Sequence, residues 1–272
     1  MNDTPSPSPS HRTVLITGAG TGIGAALALR LAHAGWTVII AGRRPEKLEE
    51  VAANIRAAGG TVTVVVGDVT MSADVARMVA AAGPSLDLLV HSAGQGHCLT
   101  IDELDEQEFR ETLNVATVGA FLTAKLALPK LRAGQSGAGH IIQIASLASG
   151  GTWNREVGYG TAKGAQAKFA LHLTSQMEVD AAAGGRRIHV HAVCPGTVDT
   201  PFWDRVPNRP IDRANALTGD EVAWMTEAII NDPAATWETL SAIKPRAEIV
   251  IKPHAPFERW SNVIAVAHES HP

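Results

Sequence analysis

Tyr159 is the only tyrosine in a chain of 272 residues, and Lys163 follows it four positions later in "VGYGTAKGA" (157–165). At i and i+4 of a helix the two side chains share one face. A free phenol ionises near pH 10, so at neutral pH it is a poor proton donor or acceptor until something shifts it. A neighbouring ammonium stabilises the phenolate and lowers that pKa. Ser146 stands thirteen residues before Tyr159, just past the apolar run "HIIQIA" (140–145). A hydroxyl there could bond the same substrate oxygen as the phenol. Together the three side chains suit proton transfer at an oxygen. Taken singly, each also has an ordinary reading: a packed tyrosine with its hydroxyl near water, or one serine among "IASLAS".

A second constellation lies near the N-terminus. "TVLITGAGTGIGAALALRLAHAG" places Gly18, Gly20, Gly22 and Gly24 directly after an apolar run and into an alanine-rich helix. Glycine in that place permits unusual backbone angles and lets the backbone approach a pyrophosphate held at the helix N-terminus. Glycines also mark ordinary turns, but between a strand and a helix the pattern points to a dinucleotide site. At the end of the second apolar run the sequence reads "IIAGRRPEKLEE". Gly42 stands where an acid would bind the ribose of NAD, and Arg43 and Arg44 follow. Paired arginines suit a 2′-phosphate, so NADP (NADPH) is the expected cofactor. The alternative for Arg44 is a solvated residue at a helix start. Asp68 in "GDVT" could accept the adenine amino group or cap the next helix.

The elements that must position these residues alternate regularly. Apolar runs at 13–17, 37–41, 61–66, 86–91, 140–145 and 188–193 read as strands buried on both faces of a parallel sheet. Helical stretches at 23–34, 46–58, 72–82, 104–132 and 161–183 fall between them. The alternation predicts one doubly wound α/β sheet of about seven parallel strands, the last at 247–253. A loop rich in Pro, Asp, Asn and Arg follows residue 200, and a helix is expected at 219–231. The predicted division is a disordered tail over 1–12, one domain over 13–253 with a substrate loop at about 200–232, and an extension over 254–272.

Composition narrows the function classes. With 45% hydrophobic and 18% charged residues and a net charge of −4, the chain has no basic block that would suit nucleic acid. Cys98 and Cys194 lack metal-ligand or redox-motif spacing, so no metal is expected and the thiols read as reduced. No run has the length and apolarity of a membrane span, and the Pro/Ser-rich start lacks the apolar core of a signal peptide. The expected location is the cytoplasm.

"TGAGTGIG", "HSAG" (91–94), Asn114 in "LNV", Ser146, "YGTAK" (159–163) and "PGTVDT" (195–200), in that order, resemble the short-chain dehydrogenase/reductase family over roughly residues 13–200. The resemblance implies a Rossmann-type fold and NADP-dependent, reversible reduction of a carbonyl to an alcohol. It makes Tyr159 the general acid/base and Ser146 the residue that orients the substrate oxygen. Lys163 would lower the phenol's pKa and bind the nicotinamide ribose, and Asn114 would hold a water of the proton relay. Ser149 rivals Ser146, but only Ser146 has the thirteen-residue offset. The resemblance also implies that Thr21 and Ile23 of the glycine loop, Val69 beside Asp68, and His91, Ala93 and Gly94 of "HSAG" line the cofactor channel. Pro195, Gly196, Val198 and Thr200 would hold the nicotinamide end. The family commonly has "NNAG" where this chain has "HSAG", and a basic residue where it has Thr21. Members form dimers or tetramers, so a homodimer or homotetramer is expected, through helices 104–132 and 161–183.

Substrate choice in this fold falls to the segments 95–99, 147–158 and 201–210. Trp153, Phe202 and Trp203 there suggest an apolar or aromatic wall, or packing of loops onto the sheet. His97, Arg155 and Arg205 could meet an anionic group or face solvent. Gly158 and Gly160 could clear room for substrate or cofactor. The same fold acting on a C=N or sugar substrate remains an alternative, as does an NADP-sensing protein without turnover, although a sensor would not need Ser146, Tyr159 and Lys163 together.

Overall fold

The apolar runs become strands because β-branched residues without polar alternation are stable only between two covering layers. A computed structural model of the chain describes residues 12–134, 137–206, 211–232 and 250–251. The first half of the sheet comprises β1 (Thr13–Thr17), α1 (Gly22–His33), β2 (Thr37–Gly42), α2 (Pro45–Ala57), β3 (Thr61–Val66) and α3 (Ser72–Ala80). The second comprises β4 (Leu88–His91), α4 (Glu106–Leu113), α5 (Gly119–Ala133), β5 (Gly139–Ile144), α6 (Val157–Ala182) and β6 (Ile188–Val193). Beyond it lie β7 (Val198–Asp199), β8 (Leu217–Thr218), α7 (Gly219–Asn231) and β9 (Val250–Ile251).

The strand order is β3-β2-β1-β4-β5-β6-β9. The chain winds outward from β1 to β3, then resumes on the other side of β1 with β4. That reversal opens a crevice beyond the carboxyl ends of β1 and β4, where doubly wound sheets take ligands. Ile16, Leu88 and Ile142 lie in the core on one face and Leu15, Leu89 and Ile141 on the other, all fully buried. Each such side chain contributes about 1.5–3 kcal/mol. The amino ends of the strands are stapled by Arg186, which donates to the carbonyls of Leu86 and Leu131 and pairs with Asp87 at 3.0 Å. Asp87 in turn accepts from the Thr13 amide at 2.9 Å.

Three details depart from the sequence expectations. Six strands are parallel, while the seventh is a two-residue antiparallel ladder of Val250–Ile251 on Ala192–Val193. The rest of the predicted strand 247–253, the tail 1–11 and the extension 254–272 lie outside the described residues. β3 is an edge strand with one neighbour, and Val66 is exposed rather than buried on both faces. The predicted helix 104–132 is helical throughout Glu106–Ala133, but Asn114–Val118 forms a π turn in which the Gly119 amide donates to the Asn114 carbonyl. This run is long and apolar enough to cross a membrane; here it packs against β4, β5 and α6.

Two buried histidines give the fold a dependence on pH. His91 is fully buried between Thr17 and Thr123, and burial, with the Lys163 charge adding to it, holds its pKa down to about 3. His140, stacked on His189 at 5.4 Å, is likewise held down to about 3, first by burial and then by His189, His191 and Arg186. Both are neutral in the folded protein, whereas the unfolded chain takes up their protons below about pH 6.5. Stability is therefore full above about 6.5 and falls as pH drops from there toward 3, by up to about 1.4 kcal/mol per pH unit for each histidine. Urea midpoints measured from pH 8 to 4 should follow that slope, and His140→Leu should flatten it. An unchanged slope in that variant rejects the assignment to His140.

Candidate active site

α6 begins at Val157, earlier than the predicted 161, so Tyr159 already lies in its first turn. Tyr159, Lys163 and Gln166 then fall on one face, directed at the end of β5. Ser146, just past β5, opens a short 3₁₀ turn, and its hydroxyl accepts from the Ala148 amide at 3.2 Å. The same hydroxyl favours the ionised form of the Tyr159 phenol. Loss of water pushes the phenol up to about 12, the Ser146 hydroxyl draws it down, and Glu156 adds to the rise. Lys163 is 4% exposed. Its ammonium donates to the Ile144 carbonyl at 2.9 Å and to Gln166 Oε1 at 3.0 Å, and lies 5.9 Å from the centre of the tyrosine ring. Burial brings it down to about 8. Ser149 donates to the Lys163 carbonyl, and of the two serines Ser146 is the one that acts on the phenol.

A roof covers this floor. A Cβ at Gly96 would stand 2.3 Å from Tyr159 Cδ2, so the chain at 95–99 lies directly on the ring. Leu99 bridges to Glu156, and Arg155 pairs with Glu103 at 2.8 Å, tying this segment to the start of α6. Arg155 holds φ at 67°, a left-handed conformation that costs a non-glycine residue free energy and is met at sites the surroundings hold in place. Phe202 tilts against Tyr159 with ring centres 5.6 Å apart.

The cradle for a dinucleotide adjoins this pair. Gly18 has φ of 68°, and a Cβ there would lie 2.7 Å from Ala93, so the glycine loop rests on the "HSAG" backbone. Thr200 lies against Gly22, and the Pro195 carbonyl accepts from the Leu147 amide at 3.0 Å. The segment 195–200 thus spans from Ser146 to the glycine loop. A Cβ at Gly94 would be 3.4 Å from Lys163 Nζ. At the other end Arg44 donates to Thr21 Oγ1 at 3.1 Å, and Arg43 reaches Gln95 at 3.3 Å, with Asp68 3.9 Å away. Backbone clearance at one end and two guanidiniums at the other fit a nicotinamide dinucleotide.

The short chain dehydrogenase family matches residues 12–210. The chain belongs to this family. A 2-keto-3-deoxy-L-fuconate dehydrogenase of Xanthomonas campestris is 35% identical over 72% of this chain and 59% of its own length, so the chain spans less than two thirds of that relative. The short-chain reductase protein NovJ of Streptomyces niveus is 31% identical over 84% of this chain and 82% of its own. Among solved structures, an alcohol dehydrogenase from Thermococcus sibiricus complexed with 5-hydroxy-NADP is 26% identical. It has a TM-score of 0.70 and covers 83% of this chain and 92% of its own. Short-chain dehydrogenases are oxidoreductases that use a nicotinamide cofactor and small-molecule substrates.

Within this short-chain dehydrogenase several expected contacts fall elsewhere. Asn114 is exposed and opens the π turn, in which Ala116 is buried and Thr117 donates to the Ala162 carbonyl. His91 faces the core rather than the cofactor channel, its ring nitrogens engaged by Thr17, Thr123 and the Val115 carbonyl. Val69 is buried in the core on one face of the sheet, and Ile23 packs against the core on the other. Asp68 accepts from the Thr70 amide and hydroxyl, a local turn rather than a helix cap. Trp203 donates its indole N–H to the Val198 carbonyl, and Trp153 is exposed over Gly151, so only Phe202 of the three aromatics meets Tyr159. His97 stands 3.8 Å from Glu108. The side chain of Arg205 lies outside the described residues. Gly158 abuts Leu104, and Gly160 the Ala148 carbonyl, which makes them packing positions rather than clearance for a ligand.

Sequence reading missed Gly96, Gln143 and Gln166. The two glutamines had a signal: an amide inside the apolar run "HIIQIA", and another three residues after Lys163 on the same helical face. Gly96→Ala should lower turnover on the order of 10²-fold by displacing the ring, with fold and cofactor affinity retained. Steady-state kinetics beside a fluorescence titration of NADPH check this, and full turnover would show that the roof is not closed on Tyr159.

Proposed function

We propose that the chain is an NADPH-dependent carbonyl reductase, reducing a ketone or aldehyde to an alcohol. The observation that carries this reading is the placement of Ser146 just past the carboxyl end of β5 and of Tyr159 on the same helical face as the buried Lys163 ammonium. The Tyr159 hydroxyl, kept protonated by its surroundings, donates its proton to the substrate oxygen as negative charge develops there. The Ser146 hydroxyl donates a second hydrogen bond to that oxygen and fixes its position. Bound in the cradle, NADPH supplies the hydride. Lys163 lies beside Gly94, where its remaining N–H can reach the ribose hydroxyls and its positive charge favours phenolate after transfer. Arg44, anchored on Thr21, and Arg43 take the 2′-phosphate in place of the missing acid at Gly42.

A phenol pushed up to about 12 stays protonated at neutral pH, so it holds the proton that reduction needs, but it donates that proton less readily than a free phenol until a bound cofactor and substrate change its surroundings. Phe202 would flank the substrate carbonyl, so an apolar or aromatic group next to the carbon is preferred. The sugar-acid name of the Xanthomonas relative suggests an anionic substrate instead. Arg155 and His97 are turned to Glu103 and Glu108, which speaks against that option.

Tyr159→Phe should lose about 10²- to 10⁴-fold in turnover with NADPH affinity kept. NADPH oxidation assayed against a panel of ketones, aldehydes and imines tests it, and undiminished turnover would remove Tyr159 as the acid. Lys163 is charged below about pH 8 and neutral above, so kcat/KM for reduction should fall as pH rises past about 8. Arg44→Ala and Arg43→Ala should each reduce the preference for NADPH over NADH roughly ten- to hundredfold. Equal losses with both cofactors would overturn the phosphate assignment.

A further inference from the structure

The polar atoms behind Lys163 form a chain with a fixed direction. Lys163 Nζ donates to Gln166 Oε1 at 3.0 Å, and Gln166 Nε2 donates to Gln143 Oε1 at 3.1 Å. Both glutamines are fully buried, Gln143 in β5 and Gln166 in α6, and Gln143 Nε2 has no hydrogen-bond partner among the described residues. An ammonium has donors only, so whatever touches it must present an acceptor. That requirement turns the Gln166 oxygen toward Lys163 and its NH₂ toward Gln143, which then presents its own oxygen. Reversing the amides would set N–H groups against the ammonium. The orphan donor on Gln143 is the end of a chain oriented from the lysine.

With Ile144 and Gln166 taking two of the three ammonium protons, one remains, and Nζ lies beside Gly94 in the proposed cofactor channel. We propose that Gln166, backed by Gln143, is a positioning residue for Lys163, holding the ammonium charged in the core and leaving one N–H for the cofactor side. This inference rests on the proposed role of Lys163 in carbonyl reduction.

The groups facing the ammonium from the surrounding elements are His91 on β4, Tyr159 on α6 and Cys194 after β6. His91 is held down to about 3, while Tyr159 and the Cys194 thiol are each pushed up to about 12. At neutral pH all three are uncharged. Among the described residues no anion pairs with Lys163, and the amide and carbonyl dipoles take that part.

The cofactor-free protein, labelled with ¹³C at lysine Cε, reports the ionisation of Lys163 by NMR; loss of its resonance in Lys163→Arg assigns it. Gln166→Met keeps the length and removes the acceptor, and the Lys163 titration should move down by about one pH unit. Gln166→Glu replaces the dipole with a charge and should move it up by a similar amount. The alkaline limb of kcat/KM should follow in the same two directions, which a purely structural loss would not produce. An unmoved titration, or movement the same way in both variants, overturns the proposal. If both Gln166 variants fail to fold, Gln143→Met should still lower the titration, and no movement there overturns the proposal equally. Should the wild-type protein reduce no carbonyl with NADPH, the functional reading fails, while the lysine titration still decides whether the amide chain holds Lys163.

Discussion

Lys163 carries an ammonium at a depth where water cannot reach it, and a charge there persists only if protein dipoles replace the lost solvation. Much of the surrounding arrangement answers that need. The Ile144 carbonyl is available because β5 ends there and its last C=O projects beyond the sheet. Gln166 is available because α6 runs on past the lysine with the same face turned inward. The Lys163 carbonyl on the far side is held by Ser149, which leaves Ser146 for the phenol. An element displaced by one residue would leave the ammonium short of an acceptor. The buried charge therefore sets the register between α6 and the end of β5, and Tyr159 inherits its place from that register.

The same constraint explains why the neighbours are neutral. His91 is neutral first because burial strips its hydration, and the Lys163 charge adds to that. Its ring stays neutral and fits among the Thr17 and Thr123 hydroxyls, which makes it a polar core residue directly beneath the cofactor channel. Tyr159 stays protonated for a different reason, since its own desolvation outweighs the effect of Ser146. Without cofactor, then, the site is a weak acid beside a strained cation. Under the proposed reading this is the ionisation state that reduction requires.

Most of the fold was legible because its signals are local. β-branched runs bounded by glycine and alanine-rich helices specify a doubly wound sheet wherever they occur, and the glycine loop, the paired arginines and the Tyr–Lys spacing are contiguous in sequence. What was not legible depends on register between distant segments. The pattern over 104–132 reads as one unbroken helix, and nothing in it marks the π turn at Asn114–Val118. β3 is as β-branched as its neighbours, but only the strand order makes it an edge. His91 looked like a cofactor contact because its neighbours Ala93 and Gly94 adjoin the cradle. Strand alternation turns its side chain to the helix-covered face instead.

The roof over Tyr159 shows the same distinction from the other side. Gly96 gives no sign in sequence that it differs from any loop glycine, yet a single methyl group there would occupy the space of the tyrosine ring. Its neighbours on the roof are held by a bridge from Leu99 to Glu156 and by the Arg155–Glu103 pair, both at the entrance to α6. The segment that follows β4 and the helix that carries the phenol are thus one mechanical unit. Of the charged groups on this roof, Arg155 is paired with Glu103 and His97 lies beside Glu108, so the face presented to the phenol is set by Gly96 and Phe202.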